Sequence, residues 1–420
     1  MNSPFIKSLN SILVKPAGPD CNMRCGYCFY IDKGALFPQT AQHRMSIATL
    51  EEMIRQLMAD GDSHLSIGWQ GGEPTLMGLP FFEKAVFFQQ KYGRGHNVGN
   101  GLMTNGLLLD RKWAAFLKKY HFLVGISIDG PEHSHDHYRI TKGGQGTWRR
   151  VVQNAKMLLE QGVDTNAVTV VSDYSVKFPE EIYHFHKSLG LNFMQFIPCV
   201  ETDPADPAKT APFSVSPEAY GLFLIKLFDL WQADFSNDLA TTSIRYFDSL
   251  FHTYIDRAAP ECTLLPACGI YVVVEHNGDV YSCDFFVDPE WKLGNIAENN
   301  LLAMLNSKKQ DIFGRKKSDL HPGCIGCKWR QRCHGGCTKD RLRDPADNNR
   351  SHFCEAYKLF FKHADQKFRQ LAADWKERNA AQLHGSLLNP VAVAEKPEKV
   401  GRNESCSCGS GKKYKKCCGR

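Results

Sequence analysis

The chain of 420 residues contains no apolar run long enough to span a bilayer. Its greasiest stretch, Tyr220 to Trp231, is interrupted by Lys226 and Asp229, whereas a spanning helix needs about 20 consecutive apolar residues. The opening run Met-Asn-Ser-Pro-Phe-Ile-Lys lacks the basic start, apolar middle and small-residue cleavage site of a secretory leader. A cytoplasmic protein without a membrane partner is therefore expected. Excess positive charge is also scarce outside one short segment. Of the formal net charge of +6, residues 401–420 contribute +5 (six basic residues against Glu404), which leaves +1 for everything else. Nucleic-acid binders spread Lys and Arg over a domain face, so nucleic acid is not an expected partner. No long internal repeat is evident, which argues against a solenoid.

Cysteine, by contrast, is abundant. Sixteen are present, and in a chain without a leader they point to metal or redox chemistry rather than to disulfides. They cluster at 21–28, 262–354 and 406–418, with Cys199 alone between, where it reads as a small buried hydrophobe. In the first group, Cys21, Cys25 and Cys28 provide three thiolates. A structural zinc normally closes its shell with four protein ligands, whereas a [4Fe-4S] cluster held by three cysteines keeps one iron open to an outside chelator. S-adenosylmethionine (SAM) suits that role through its amino and carboxylate groups. A zinc knuckle with an unseen fourth ligand is the other reading of the triplet.

From residue 11 to about 235, runs rich in β-formers alternate with helical patterns, the signature of a βαβ series. Strands are expected at Ser11–Lys15, Leu65–Trp69, Asn97–Met103, Leu123–Ile128, Asp164–Val171 and Phe193–Pro198. Helices are expected at Ile47–Ala59, Phe81–Tyr92, Asp110–Tyr120, Thr147–Gln161 and Pro179–Leu189. Six units are too few for a closed eight-stranded barrel, so an α/β partial (β/α)6 barrel follows, with chemistry beyond the strand C-termini. The helix Tyr220–Ala233 leads away from it. Beyond about residue 236 the texture becomes rich in cysteine and glycine, and Val272–Glu275 and Val280–Ser282 flank an Asn277-Gly278 turn typical of a hairpin. A closing helix is expected at 352–378, then a linker over 379–400. The resulting domains are 1–235, 236–378 and a tail at 401–420.

Several short runs bear on ligand binding. Gly71-Gly72 follows the second strand, Ser127 ends the fourth, and Arg139 lies further on as a carboxylate partner. Together with Lys15 to Ala17, Cys25 to Tyr30, Trp69 to Thr75, Phe122 to Pro131, Gln195 to Cys199, Ile244 to Asp248 and Gly278 to Asp284, they make the chain closely resemble the radical SAM enzymes, and within them the anaerobic sulfatase-maturating enzymes, over about residues 8–370. That resemblance implies SAM contacts from Tyr27, Gly72, Ser127, Arg139 and Val200, the last standing where leucine is common. Met103 also departs from the family, which often has glutamine there.

Eight cysteines between 262 and 354 are enough for two four-cysteine shells. The Cys324, Cys327, Cys333, Cys337 spacing with a distant Cys354 resembles the SPASM domain of these maturases. The likeness assigns Cys262, Cys268, Cys283 and Cys337 to one auxiliary [4Fe-4S] cluster and Cys324, Cys327, Cys333 and Cys354 to another, three clusters in all. Two zinc sites with the same ligands are the alternative, but zinc has no redox chemistry. The family's reaction implies that SAM is cleaved to methionine and a 5′-deoxyadenosyl radical. The radical takes a Cβ hydrogen from a cysteine or serine of an unfolded sulfatase, a base takes the thiol or hydroxyl proton, and an auxiliary cluster takes the remaining electron. Formylglycine is the product. Asp284, beside Cys283, matches the family's catalytic aspartate, while Gln70 and Tyr30 are expected to face the substrate. A flavodoxin or ferredoxin is the expected electron donor. The run His133 to His137 reads as a solvated loop rather than a metal site.

In the tail, Cys406, Cys408, Cys417 and Cys418 can fold a short segment around one zinc. This stretch resembles the SEC-C motif of the SecA translocase, with Cys418 in place of a histidine, and by resemblance it binds an acidic partner such as the SecB chaperone. Two other readings use the same residues: a SPASM enzyme that modifies another peptide, and a non-catalytic iron-sulfur adaptor or electron carrier.

Overall fold

Six parallel strands, taken in sequence order, build the centre of the molecule in the computed structural model, which describes residues 6–236, 240–347, 349–379, 413 and 416. They are β1 (Leu9–Lys15), β2 (Gly61–Trp69), β3 (Asn97–Thr104), β4 (Phe122–Ser127), β5 (Thr165–Val171) and β6 (Phe193–Pro198). Each pairs in parallel with the next. The helices Ile47–Asp60, Leu79–Tyr92, Arg111–Lys119, Trp148–Glu160 and Pro179–Ser188 connect them. Their starts are written locally. Ser46 Oγ accepts from Thr49 N at 3.0 Å, and Asp110 Oδ1 accepts from the amides of Lys112 and Trp113, each at 2.9 Å, as N-caps do.

The cysteine-rich region adds to the same sheet. Beyond the six strands lie β7 (Ser243–Ile244), β8 (Val272–Glu275), β9 (Asp279–Tyr281) and β10 (Lys292–Asn295), giving the open ten-stranded order β10-β9-β8-β1-β2-β3-β4-β5-β6-β7. The sheet does not close, as a partial barrel requires. β8 runs parallel to β1, with Ile12 opposite Val272 and Lys15 opposite Glu275. The Asn-Gly hairpin was legible in the sequence, but its docking on β1 was not. β8 is buried at every residue, as suits a strand flanked on both sides. Alternation then sorts the side chains: Ile12, Val14, Val272 and Val274 join the large apolar core, while Leu13 and Val273 pack with Tyr30 and Tyr281 in a separate cluster.

Among the helices not expected from the sequence are Arg245–Tyr254, although its Tyr246, Phe247, Leu250 and Tyr254 recur at helical spacing, and Lys308–Ser318. The latter carries only Ile312 and Phe313 as large apolar residues, too few to mark a face. Among the described residues no helix is long and apolar enough to cross a membrane. The chain divides into two compact units, the first ending at Arg369 and the second beginning at Gln370. The expected linker and the tail cysteines Cys406, Cys408, Cys417 and Cys418 lie outside the described residues.

Candidate active site

The Cys21–Cys28 loop leaves β1 and is fastened on two sides. Arg24 N donates to Ile140 O at 2.9 Å and Gly26 N to Tyr138 O at 3.1 Å, while Gly72 N donates to Gly18 O and Glu73 N to Asp20 O, each at 2.8 Å. Gly72 is confined by this contact: a Cβ there would lie 2.0 Å from Asp20 O. Asn105 joins from the end of β3, donating to Asn22 Oδ1 at 2.7 Å. Burial pushes the Cys21 thiol up to about 11 and the Cys25 thiol up to about 12. Thiolates therefore form here only against the charge of a metal centre, a donor set that fits an iron-sulfur cluster. Beside the loop opens a cavity of about 910 Å³, lined in part by Cys21, Arg24, Cys25 and Lys142.

Asp129, which no sequence pattern singled out, organises the expected SAM contacts. Its carboxylate is 2% exposed and accepts from Tyr27 OH, from Arg139 Nε at 2.9 Å and from Val170 N at 2.9 Å. Burial alone would lower the Arg139 pKa, and Asp129, Tyr27 and Cys25 together outweigh it to raise the value. Tyr27 and Arg139 are thus brought together, with Ser127 just ahead of Asp129 at the end of β4. Val200 is buried after β6, where its carbonyl accepts from Lys339 Nζ at 3.0 Å. Met103 packs against β4, where its sulfur closes over Gly125. The His133 to His137 run is only in part the solvated loop expected: His133 and His137 are exposed, but Glu132–His135 forms a helical turn that buries His135. His135 is 0% exposed, holds Asp129 N at 3.3 Å and Thr147 Oγ1 at 3.0 Å, and Asp136 caps the helix at Thr147 and Trp148. These neighbours come from β4 and the following helix, contacts that local polarity does not register.

Asp284 stands where the cysteine-rich region meets the barrel. Gln70 Nε2, just beyond β2, donates to its Oδ2 at 2.9 Å, and Tyr271 OH donates to Oδ1 at 3.1 Å. Lys15 Nζ reaches the Asp284 carbonyl at 3.2 Å and lies 3.6 Å from the centre of the Tyr30 ring. Tyr30 OH in turn donates to Glu275. Lys15 is 1% exposed and Glu275 0%. Burial lowers the Lys15 pKa, opposed by Glu275 and Asp284. Gln70, Tyr30 and Asp284 therefore share one neighbourhood. Lys15, Glu275 and Tyr271 were missed as site residues, although a lysine inside a buried strand is itself a signal.

The eight remaining cysteines separate into two groups. Cys324, Cys327, Cys333 and Cys354 line a single pocket, and Cys337 has Cys262, Cys268 and Cys283 as charge neighbours. Among the described residues no three Cys, His, Asp or Glu side chains converge closely enough to hold a single metal ion. Two groups of four thiols are donor sets that fit iron-sulfur clusters. Cys199 is 7% exposed, buried as expected.

Comparison with known proteins agrees with this geometry. Residues 16–185 match the radical SAM superfamily, residues 266–328 the SPASM iron-sulfur cluster-binding domain, and residues 402–420 the SEC-C motif. The chain is 36% identical over 378 residues to the serine-type anaerobic sulfatase-maturating enzyme of Bacteroides thetaiotaomicron, spanning 86% of this chain and 90% of that protein. It is 36% identical over 370 residues to the cysteine-type enzyme of Clostridium novyi, spanning 87% and 98%. A solved structure of anSMEcpe with bound AdoMet and the Cp18Cys peptide superposes with a TM-score of 0.80 at 34% identity, covering 87% of this chain and 99% of that one.

Proposed function

The chain belongs to the anaerobic sulfatase-maturating enzymes of the radical SAM superfamily, and from that premise we propose that Asp284 is the base that serves its reaction, the oxidation of a sulfatase cysteine or serine to Cα-formylglycine. One observation carries the assignment: the Asp284 carboxylate receives Gln70 on one oxygen and Tyr271 on the other, so its orientation is set by residues from the barrel and from the cysteine-rich region together.

When bound, SAM at a cluster on Cys21, Cys25 and Cys28 supplies the hydrogen-abstracting oxidant, and two auxiliary clusters supply an electron sink. The chain's own residues do the rest. Asp284 takes the thiol or hydroxyl proton on a carboxylate oxygen. Gln70 and Tyr271 hold that carboxylate by donation and fix the direction its oxygens face. Tyr30, pinned by Glu275, walls the substrate side. Tyr27, Ser127 and Arg139 around Asp129, with Gly72 and Val200, hold SAM, and the guanidinium suits its carboxylate.

The substrate class is a sulfatase polypeptide, and relatives of both the cysteine and the serine type resemble the chain equally. A flavodoxin or ferredoxin is assigned as donor, supported by the exposed Arg24 and Lys142 beside the cluster loop. The tail is assigned one zinc on Cys406, Cys408, Cys417 and Cys418 and a SecB-type chaperone as partner, supported by the SEC-C match. Anaerobic incubation of reconstituted protein with SAM, reductant and peptides bearing Cys-x-Pro-x-Arg or Ser-x-Pro-x-Arg, followed by mass spectrometry, tests the reading. Aldehyde on one or both is expected. Asp284→Asn should still release 5′-deoxyadenosine while aldehyde falls by about 10²- to 10⁴-fold, the usual worth of a general base. Undiminished aldehyde removes Asp284 from the role.

A further inference from the structure

Two cations lie inside the cysteine-rich region with no carboxylate among the groups they bond. Arg341 is 2% exposed and Lys317 0%. Arg341 donates through Nε to Gly335 O and through a terminal nitrogen to His334 O, each at 2.9 Å. Its other terminal nitrogen reaches Asp319 O at 3.1 Å and Lys316 O at 3.4 Å. Lys317 Nζ donates to Cys262 O at 2.6 Å and Thr263 O at 2.8 Å. Every acceptor is a backbone carbonyl. The other buried lysines and arginines among the described residues are different: Arg139 meets Asp129, Lys339 meets Glu201 and Asp340, and Lys15 has Glu275 as a charge neighbour.

A buried charge without a counter-ion is strongly unfavourable, so the missing anion has to be found nearby. Arg341 grips the carbonyls of His334 and Gly335, on the loop between Cys333 and Cys337, and its charge neighbours are the sulfurs of Cys324, Cys268, Cys333 and Cys337, drawn from both groups. Lys317 is bonded to the carbonyl of Cys262 itself, and its charge neighbours are Cys268, Cys337 and Cys262, from one group only. The backbone is shaped to the guanidinium. His334, Gly335 and Gly336 are consecutively left-handed, with φ of 46°, 73° and 69°, and a Cβ on Gly335 would lie 2.4 Å from an Arg341 nitrogen. The loop so wrapped delivers Cys333 to one group and Cys337 to the other.

We propose that Arg341 and Lys317 are the counter-ions of the two auxiliary clusters, and that Arg341, shared between them, raises both reduction potentials so that the electron leaving the substrate is retained there. The proposal rests on the iron-sulfur reading of these eight cysteines. A thiolate-ligated cluster is anionic and gains one further negative charge on reduction, so a fixed cation favours the reduced form; net charge and hydrogen bonding are known levers on such potentials. The electron count closes. The substrate residue, having lost a hydrogen atom, gives its proton to Asp284 and one electron to an oxidised cluster, which a soluble one-electron carrier later re-oxidises.

The test is a redox titration of the reconstituted full-length protein followed by electron paramagnetic resonance, with the Cys21–Cys28 cluster as internal reference. Arg341→Gln should lower both auxiliary potentials by about a tenfold drop in the electron-uptake constant, about 59 mV for a one-electron couple, and leave the reference unmoved. Lys317→Gln should lower only the cluster on Cys262. Arg341→Lys, which keeps the charge and loses the planar fork, should hold the potentials near the parent's. Unmoved potentials in Arg341→Gln, or an equal shift in Arg341→Lys, would overturn the proposal and leave Arg341 a mechanical clamp. Should Arg341→Gln fail to take up iron, Lys317→Gln decides, and its unmoved potential overturns the proposal as well. Zinc in place of iron at the eight cysteines would sink the cluster reading and this proposal together, whereas intact clusters with unmoved potentials sink this proposal alone.

Discussion

Gly72→Ala should dislodge the first cysteine loop, and the structure shows by how much. The added Cβ would lie 2.0 Å from Asp20 O, 2.5 Å from Asp20 C and 2.8 Å from Pro19 C, where ordinary contact begins at 3.4 Å. All three atoms are backbone, so no side chain can rotate aside, and the loop must retreat by more than an ångström. Asp20 directly precedes Cys21, and the retreat strains the bonds from Gly72 N to Gly18 O and from Glu73 N to Asp20 O. Overpacking contributes about 1–3 kcal/mol and two weakened backbone bonds roughly 1 kcal/mol each, so a loss of about 3–5 kcal/mol is expected. Anaerobic urea denaturation reads it, alongside iron analysis and 5′-deoxyadenosine yield. Iron from the first site and SAM cleavage should both fall, with auxiliary iron retained. Gly99→Ala is the matched control, since its nearest neighbour is Leu65 O at 3.8 Å, and it should stay within about 0.5 kcal/mol of the parent. If the two variants unfold at the same urea concentration with the same iron content, the steric argument is wrong.

Three further expectations follow from buried charge and from the tail. Lys15→Met removes the cation between Glu275 and Asp284 and should destabilise the protein by about 3–5 kcal/mol, with Glu275→Gln in the same chain restoring most of it; a neutral single variant in urea denaturation would refute the coupling. Burial lowers the His186 pKa to about 3, so below pH 6.5 the unfolded chain binds a proton that the folded chain refuses, and stability falls by up to about 1.4 kcal/mol per pH unit. His186→Gln should flatten that slope between pH 6.5 and 5, and an unchanged slope in matched denaturation curves would count against the burial effect. Cys418→His should keep one zinc on the tail and Cys418→Ala should lose it, as metal analysis of the full chain would show; zinc retained in the alanine variant would remove Cys418 from the ligand set.

Much of the architecture was legible because it is written locally. The apolar periodicity located β6 residue for residue, and placed the five connecting helices to within two residues at each end, since caps such as Ser46 and Asp110 lie next to the turns they close. The cysteine spacings separated the Cys21–Cys28 loop from the cysteine-rich region for the same reason: ligands on one loop are constrained by a few intervening residues. The His133 to His137 run misled because its fate depends on Asp129 and Thr147, and local polarity does not say which histidine a neighbouring element will bury.

The amino-acid sequence by itself determined the βαβ order, the cysteine triplet at 21, 25 and 28, the count of eight cysteines between 262 and 354 and the likeness that named Asp284. Only the tertiary structure decided that the Val272–Glu275 strand would pair with β1, because hydrogen bonding between strands some 250 residues apart leaves no periodic trace in either. That pairing sets Glu275 beside Lys15, brings Asp284 to Gln70, and turns a hairpin of the cysteine-rich region into one wall of the barrel. The same holds for Arg341 and Lys317. Two ordinary basic residues in a charged stretch became cations enclosed by carbonyls and thiols once packing excluded the water that would have solvated them.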